Sequence, residues 1–267
     1  MRRQLFFVFV IGVCAAMAAI YLGRLAFASA PLFAGPLDDR TLLIAGGCIK
    51  LLALVVAAVF AVRSTVLLGA GNAARLPWAL LAGGLAGLAL GQATLVYFQA
   101  FRGVSPFPSV ADVWFLIAYP LLIAGVIAFI TAYARSGFPM QGTRATFVIA
   151  SFAVIAAAWP LLRPVIRSGD ALLPKTLNVV YPALDLILLV PVVVLLRITS
   201  RFRGGAVWHI WLALLAGFVF TALGDILFAY FSTLGLDRLD PAVHAMYIIA
   251  YGALAAGAMV QRRLLAA

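Results

Sequence analysis

Residues 207–231 read VWHIWLALLAGFVFTALGDILFAYF, an apolar run that carries one acid, Asp225, and one histidine, His209. A hydrocarbon core about 30 Å thick needs roughly 20 apolar residues wound as an α-helix. This run meets that length. Seven further runs of the same kind lie near 5–27, 41–62, 77–99, 112–133, 145–162, 178–198 and 243–261. The one at 145–162 is short and carries Trp159-Pro160. Lipid offers no hydrogen bonds, so each spanning backbone must satisfy its own groups, which continuous runs do as helices. A membrane β-barrel would instead show short segments of alternating polarity.

Composition agrees with the runs. The chain of 267 residues is 66% hydrophobic and 10% charged, with a mean hydropathy of +1.15. A soluble domain has about 25% charged residues. The expectation is an all-α integral membrane protein of about eight transmembrane helices, forming one polytopic domain over 1–267. The lipid bilayer is its first partner. A net charge of +11 could point to nucleic acid, but the basic residues sit singly or in pairs between apolar runs. That is the pattern of membrane flanks and excludes a nucleic-acid interface. Cys14 and Cys48 each lie inside an apolar run with no histidine nearby, so they read as packing residues. No metal or cofactor is expected from the cysteines and histidines.

Residues 1–31 admit two readings. Arg2 and Arg3 precede an apolar stretch, and Ala28-Ser29-Ala30 resembles a signal-peptide cleavage site. The stretch is long for a signal core and continues past Tyr21, which favours a retained first helix. Basic residues then set the orientation. With both termini cytoplasmic, the inner side holds Arg2, Arg3, Arg63, Arg75, Arg135, Arg144, Arg197, Arg201, Arg203, Arg262 and Arg263. The outer side holds Arg24, Arg40, Arg102, Arg163, Arg167, Lys175 and Arg238, together with Asp38, Asp39, Asp170, Asp237 and Asp240. A bacterial cytoplasmic membrane is the expected location.

The two halves of the chain, 1–135 and 136–267, resemble each other. Trp78, Leu81, Gly84, Leu90, Gly91, Tyr97 and Phe98 recur 133 residues later as Trp211, Leu214, Gly217, Leu223, Gly224, Tyr230 and Phe231. Ala118-Tyr119 recurs as Ala250-Tyr251 after a one-residue gap. The pattern suggests a parallel four-plus-four repeat, with a site between the halves.

Charged side chains inside a bilayer cost several kcal/mol and mark function by default. Four occur here: Lys50, Asp112, Asp185 and Asp225. The repeat adds Gln92, at the place of Asp225, and His244, at the place of Asp112. Asn178, Tyr181 and Asp185 fall at i, i+3 and i+7 and so share one helix face. These eight residues make the expected ligand site, a polar cluster opening toward the outer half of the membrane. Two structural alternatives stay open. Lys50 would pair with Asp185 or Asp225 as an interhelical lock, and Asp112 would serve the helix start capped by Ser109. His209, between Trp208 and Trp211, reads as an interfacial residue.

Four pieces of sequence carry a resemblance: Pro106-Phe107-Pro108-Ser109-Val110-Ala111-Asp112 leading into Ala118-Tyr119-Pro120; Asn178 with Tyr181-Pro182-Ala183-Leu184-Asp185; Gly224-Asp225 with Tyr230; and the segment from Tyr247 to Tyr251. In this order and spacing the chain resembles the N-terminal multi-helix membrane region that precedes GGDEF, EAL and histidine-kinase domains in bacterial signalling proteins. The resemblance implies a non-enzymatic sensory input module. It departs from the group after Arg262-Arg263, where no GGDEF, EAL or kinase motif follows. The implied partners are a small ligand or lipid and a separate cytoplasmic signalling protein or second copy of the chain. Two other classes compete. Paired aspartates could act as general acid and base in an intramembrane lipid-modifying enzyme, and Gly224-Asp225 resembles the late Gly-Asp motif of small eight-helix lipid-cleaving enzymes. Intramembrane carboxylates could also relay protons in a transporter.

Overall fold

Every long apolar run is a helix. The computed structural model describes residues 2–266. Met1 and Ala267, and the side chains of Arg2, Arg3, Ala34 and Arg201, lie outside the described residues, as does the part of Arg2, Arg3 and Arg201 in the charge bias. In chain order the helices are α1 (Arg2–Ala26), the single turn α2 (Pro31–Ala34), α3 (Asp39–Leu67), α4 (Arg75–Tyr97), α5 (Val110–Arg135), α6 (Thr143–Arg167), α7 (Leu172–Ile198), α8 (Ala206–Leu234) and α9 (Asp240–Leu264). Eight of them, all but α2, are long and apolar enough to cross a membrane, and no strand occurs among the described residues. The chain is a multi-pass, all-α membrane protein. The segment at 145–162 is part of the unbroken helix α6, with Pro160 and Pro164 inside it.

Local chemistry sets the helix ends. The Asp38 carboxylate accepts from the Thr41 backbone N–H at 2.8 Å and starts α3. Those hydrogen bonds to Thr41 hold Asp38 below the usual carboxylate range. Ser109 Oγ accepts from Ala111 N–H at 3.1 Å, while Asp112 Oδ2 accepts from Ser109 N–H at 2.5 Å. The pair is a capping box that starts α5. Beyond α4 the chain makes one wide turn, Phe98–Arg102, closed by Gly103 at φ 66°. Arg24 at the end of α1 is ion-paired with Asp39 at 2.8 Å, which ties α1 to the start of α3.

Six helices close a ring. α3 packs on α4, α4 on α5, α5 on α7, α7 on α8, α8 on α9, and α9 returns to α3. α1 leans on the outside of α3 and α9, and α6 on the outside of α7 and α8. The starts of α3, α5, α7 and α9 lie at one end with Asp38, Asp39, Asp170, Asp237 and Asp240, the acid end. The opposite, arginine end carries Arg63, Arg75, Arg135, Arg144, Arg197, Arg203, Arg262 and Arg263.

Lipid tails give helices no hydrophobic reason to associate, so close backbone approach must do it. At Gly84, a Cβ would lie 2.5 Å from Leu122 Cγ and 3.1 Å from the Ala118 carbonyl, which brings α4 hard against α5. Gly217 stands in the same relation to Leu254 and the Ala250 carbonyl, bringing α8 against α9. Toward the arginine end, Trp78, Phe129 and Trp211 interlock edge to face, with centroids 5.6 and 4.8 Å apart. The Trp211 indole N–H donates to the Tyr133 hydroxyl at 3.1 Å, so this buried aromatic layer leaves that donor satisfied.

Candidate functional site: a polar cluster inside the ring

The ring brings carboxyl and phenol groups of four helices together. Tyr119 on α5 reaches across the middle, its hydroxyl 2.8 Å from Asp185 Oδ1 on α7 and 3.1 Å from Asp225 Oδ2 on α8. The Tyr247 hydroxyl on α9 donates to the other Asp225 oxygen. Tyr119 thus stands between the two carboxyls and touches one oxygen of each. Asp185 is 1% exposed, and its second oxygen has no partner among the described residues. Nearer the acid end, the Tyr181 hydroxyl donates to Asp112 Oδ1 at 2.7 Å, while the Tyr119 and Tyr181 rings lie 6.2 Å apart. Asp112 therefore does two things at once: it caps α5 and binds α7.

Lys50 arrives from the other side. Its ammonium lies 3.1 Å from His244 Nδ1 and 5.8 Å from the centre of the Tyr247 ring. The His244 ring packs on Tyr21 of α1 at 5.1 Å, and the Tyr21 hydroxyl donates to the Leu42 carbonyl at 2.7 Å. The lock between Lys50 and an aspartate that the sequence left open is not what forms. Arg24–Asp39 is the ion pair seen among the described residues, and neither Asp185 nor Asp225 has a cation within 4 Å. The reason is rotational: the lysine face of α3 meets α9, and histidine is the polar group that α9 presents there.

No known protein family, curated protein or solved structure matches this chain. The cluster therefore stands on its own geometry. Of the eight residues expected from sequence, Asp112, Tyr181, Asp185 and Asp225 meet directly or through Tyr119. Lys50 and His244 join through the Tyr247 ring. Gln92 and Asn178 are buried but lie apart. Gln92 Nε2 donates to the Gly47 carbonyl at 3.3 Å, stitching α4 to α3, and Asn178 sits 3.5 Å from Ser232 Oγ on α8. The Asn178–Tyr181–Asp185 face of α7 turns inward as its spacing requires, yet meets different partners at each step.

The groove beside α6 and the recess at the arginine end touch none of these residues, and within the cluster the polar groups contact one another. Sequence reasoning also passed over Tyr119, Tyr247 and Tyr21 as site residues. Tyr119 and Tyr247 lie within the segments that carry the resemblance, and a phenol in a membrane interior needs a partner. That need was the available signal. His209 lies at the arginine end, 2.8 Å from the Gly205 carbonyl, far from the cluster. Among the described residues no three His, Cys, Asp or Glu side chains converge as a metal site.

The chemistry of the cluster follows from its charge count. Two carboxyls within reach of one hydroxyl, with no cation paired to them, repel unless a proton or a bound cation lies between them. One Tyr119 O–H can donate to only one of them at a time. A proton or a bound cation between the two carboxyls would relieve that repulsion, and no cation among the described residues is paired with either.

Proposed function

We propose that the chain is a membrane sensory or ligand-binding module whose responsive element is the Asp185–Asp225 pair, with a proton or small cation as its ligand. One observation carries the reading: a single hydroxyl, Tyr119, touches both carboxyls, and no cation among the described residues pairs with either. The pair joins α7 to α8, while its tyrosines bring in α5 and α9. Occupancy would draw these helices together, and vacancy would let like charges push them apart. A ligand shifts such an equilibrium only by its differential affinity for the two arrangements. Here that difference is the repulsion relieved.

A four-plus-four repeat belongs to the same proposal. The Gly84–Leu122 and Gly217–Leu254 contacts support it, as do Gly91 against Phe115 and Gly224 against Tyr247, all at the offsets found in sequence. We place the chain in a bacterial cytoplasmic membrane with both termini inside, signalling to a separate cytoplasmic protein or to a second copy. A second reading, proton-coupled transport, is favoured by the same uncompensated carboxyls, because groups of this kind relay protons.

Purified protein in detergent tests the proposal. Thermal unfolding is followed for wild type, Asp185→Asn, Asp225→Asn and Tyr119→Phe, alone and with inorganic cations, amine metabolites and lipid extracts. The expected result is a cation that raises the melting temperature of wild type and of none of the variants. If nothing shifts wild type and both Asn variants melt at the wild-type temperature or above, the pair is a structural contact and the reading fails. Reconstituted vesicles separate the transport reading: proton-coupled uptake unchanged in both Asn variants would remove it.

A further inference from the structure

A wide groove runs along the outside of the bundle between α5 and α6, with α7 as its floor. On the opposite flank α1 packs along both α9 and α3. α6 is the least buried of the spans and leans on α7 and α8 while standing off α5. The space has a volume of about 910 Å³, within the range of roughly 300–1,000 Å³ typical of small-molecule sites. Its walls are Ile, Val, Leu, Phe and Met side chains, and its polar lining is confined to Thr143, Arg144 and Ser151. Arg144 and Thr143 sit at the arginine end. There Thr143 also borders a small polar recess with Gln141, Arg197 and Ser200.

Length and charge together identify the occupant. The α6 wall runs from Arg144 to Ile155, which at 1.5 Å per residue is about 17 Å. One leaflet of a hydrocarbon core roughly 30 Å thick is about 15 Å deep. The groove thus reaches from the membrane surface to the midplane. Neither Arg144 nor Arg197 has an ion-pair or hydrogen-bond partner among the described residues. An apolar trough one leaflet long, with the unpartnered Arg144 guanidinium at its surface end and that of Arg197 in the recess that shares Thr143 with it, complements an amphiphile with an anionic head. Arginine binds phosphate with a planar two-donor fork.

We infer that this groove holds an acyl chain of an anionic phospholipid, with its phosphate against Arg144 and Arg197. The inference needs the chain to be a membrane protein but does not depend on the proposed role of the aspartate pair. Bound lipid would fill the α5–α6 gap and hold α6 against the ring.

Delipidated protein in detergent is titrated with dioleoyl phosphatidylglycerol, dioleoyl phosphatidylcholine or inorganic phosphate, and retained lipid is counted by native mass spectrometry. Wild type should retain phosphatidylglycerol in preference to phosphatidylcholine and should not respond to phosphate alone. Arg144→Gln and Arg197→Gln should each weaken phosphatidylglycerol binding by roughly five-fold, while Arg75→Gln, at the same end but outside the groove, should not. Ala183→Trp, on the floor, should abolish retention of both lipids. A photo-crosslinking side chain at Val148 gives an independent reading and should label an acyl chain. Equal retention of the two lipids, an undiminished preference in Arg144→Gln, or crosslinking at Val148 to a second copy instead of lipid would each overturn the inference.

Discussion

Replacing Tyr119 by Phe removes one oxygen atom and keeps the ring, so it isolates the hydroxyl that joins Asp185 to Asp225. Two contacts are lost, at 2.8 and 3.1 Å, and Asp185, whose second oxygen is already unpartnered, is left with no donor. A hydrogen bond to a charged group is worth about 1.5–3 kcal/mol, and stranding a buried acceptor costs a similar amount. In membranes the measured values are smaller, about 0.6 kcal/mol on average and near 1.7 at most, because the unfolded chain also finds partners there. A hydroxyl serving two buried carboxyls belongs at the upper end, and we expect a loss of about 1.7 kcal/mol. Reversible unfolding by SDS titration in mixed micelles measures it. Tyr97→Phe serves as control, since Tyr97 is half exposed and its hydroxyl has no hydrogen-bond partner among the described residues. Double-mutant cycles supply the sharper test: Tyr119→Phe should couple to both Asp185→Asn and Asp225→Asn by about 0.5–3 kcal/mol, the range for groups in contact. A loss under about 0.5 kcal/mol with additive cycles would refute the bridging role.

Other expectations follow from the same geometry. Gly84→Ala and Gly217→Ala should each cost about 1–3 kcal/mol, because the added carbon meets Leu122 or Leu254 beside a helix backbone. Gly12→Ala, with nothing within 4 Å, should be neutral or stabilising in the same assay. Lys50→Met should leave expression and unfolding close to wild type, since Lys50 is buried without a carboxylate partner and a flexible apolar chain of similar size replaces it. A collapse of folding in that variant would make the Lys50–His244 contact essential. Ser109→Ala should cost about 1 kcal/mol through the lost cap of α5. The Asp38 cap has its carboxylate held below the ordinary value of about 3.9. Its contribution should be full above that value and fall away as the pH drops through the lowered one. Hydrogen exchange at the start of α3 should therefore rise in acid for wild type and not for Asp38→Asn.

Much of the fold was legible because its governing physics is local. Whether a segment can cross a bilayer depends on its own length and apolarity, and all eight spans follow from that test alone. Asp112 was legible for the same reason: Ser109 and Asp112 stand three residues apart, and a capping box needs nothing else. The spacing that links Gly84 to Gly217 was visible in one dimension, whereas their contacts with Leu122 and Leu254 were not. What sequence could not reach is which polar group faces which. In water an apolar stripe tells a helix which way to turn; in lipid both faces are apolar, and that signal disappears. Lys50 meeting His244, Tyr119 spanning two aspartates, Gln92 turning aside to Gly47 and α6 standing off α5 all depend on helix rotation and on the order of helices around the ring. Those are set by close packing among distant segments, so only the tertiary structure decides them.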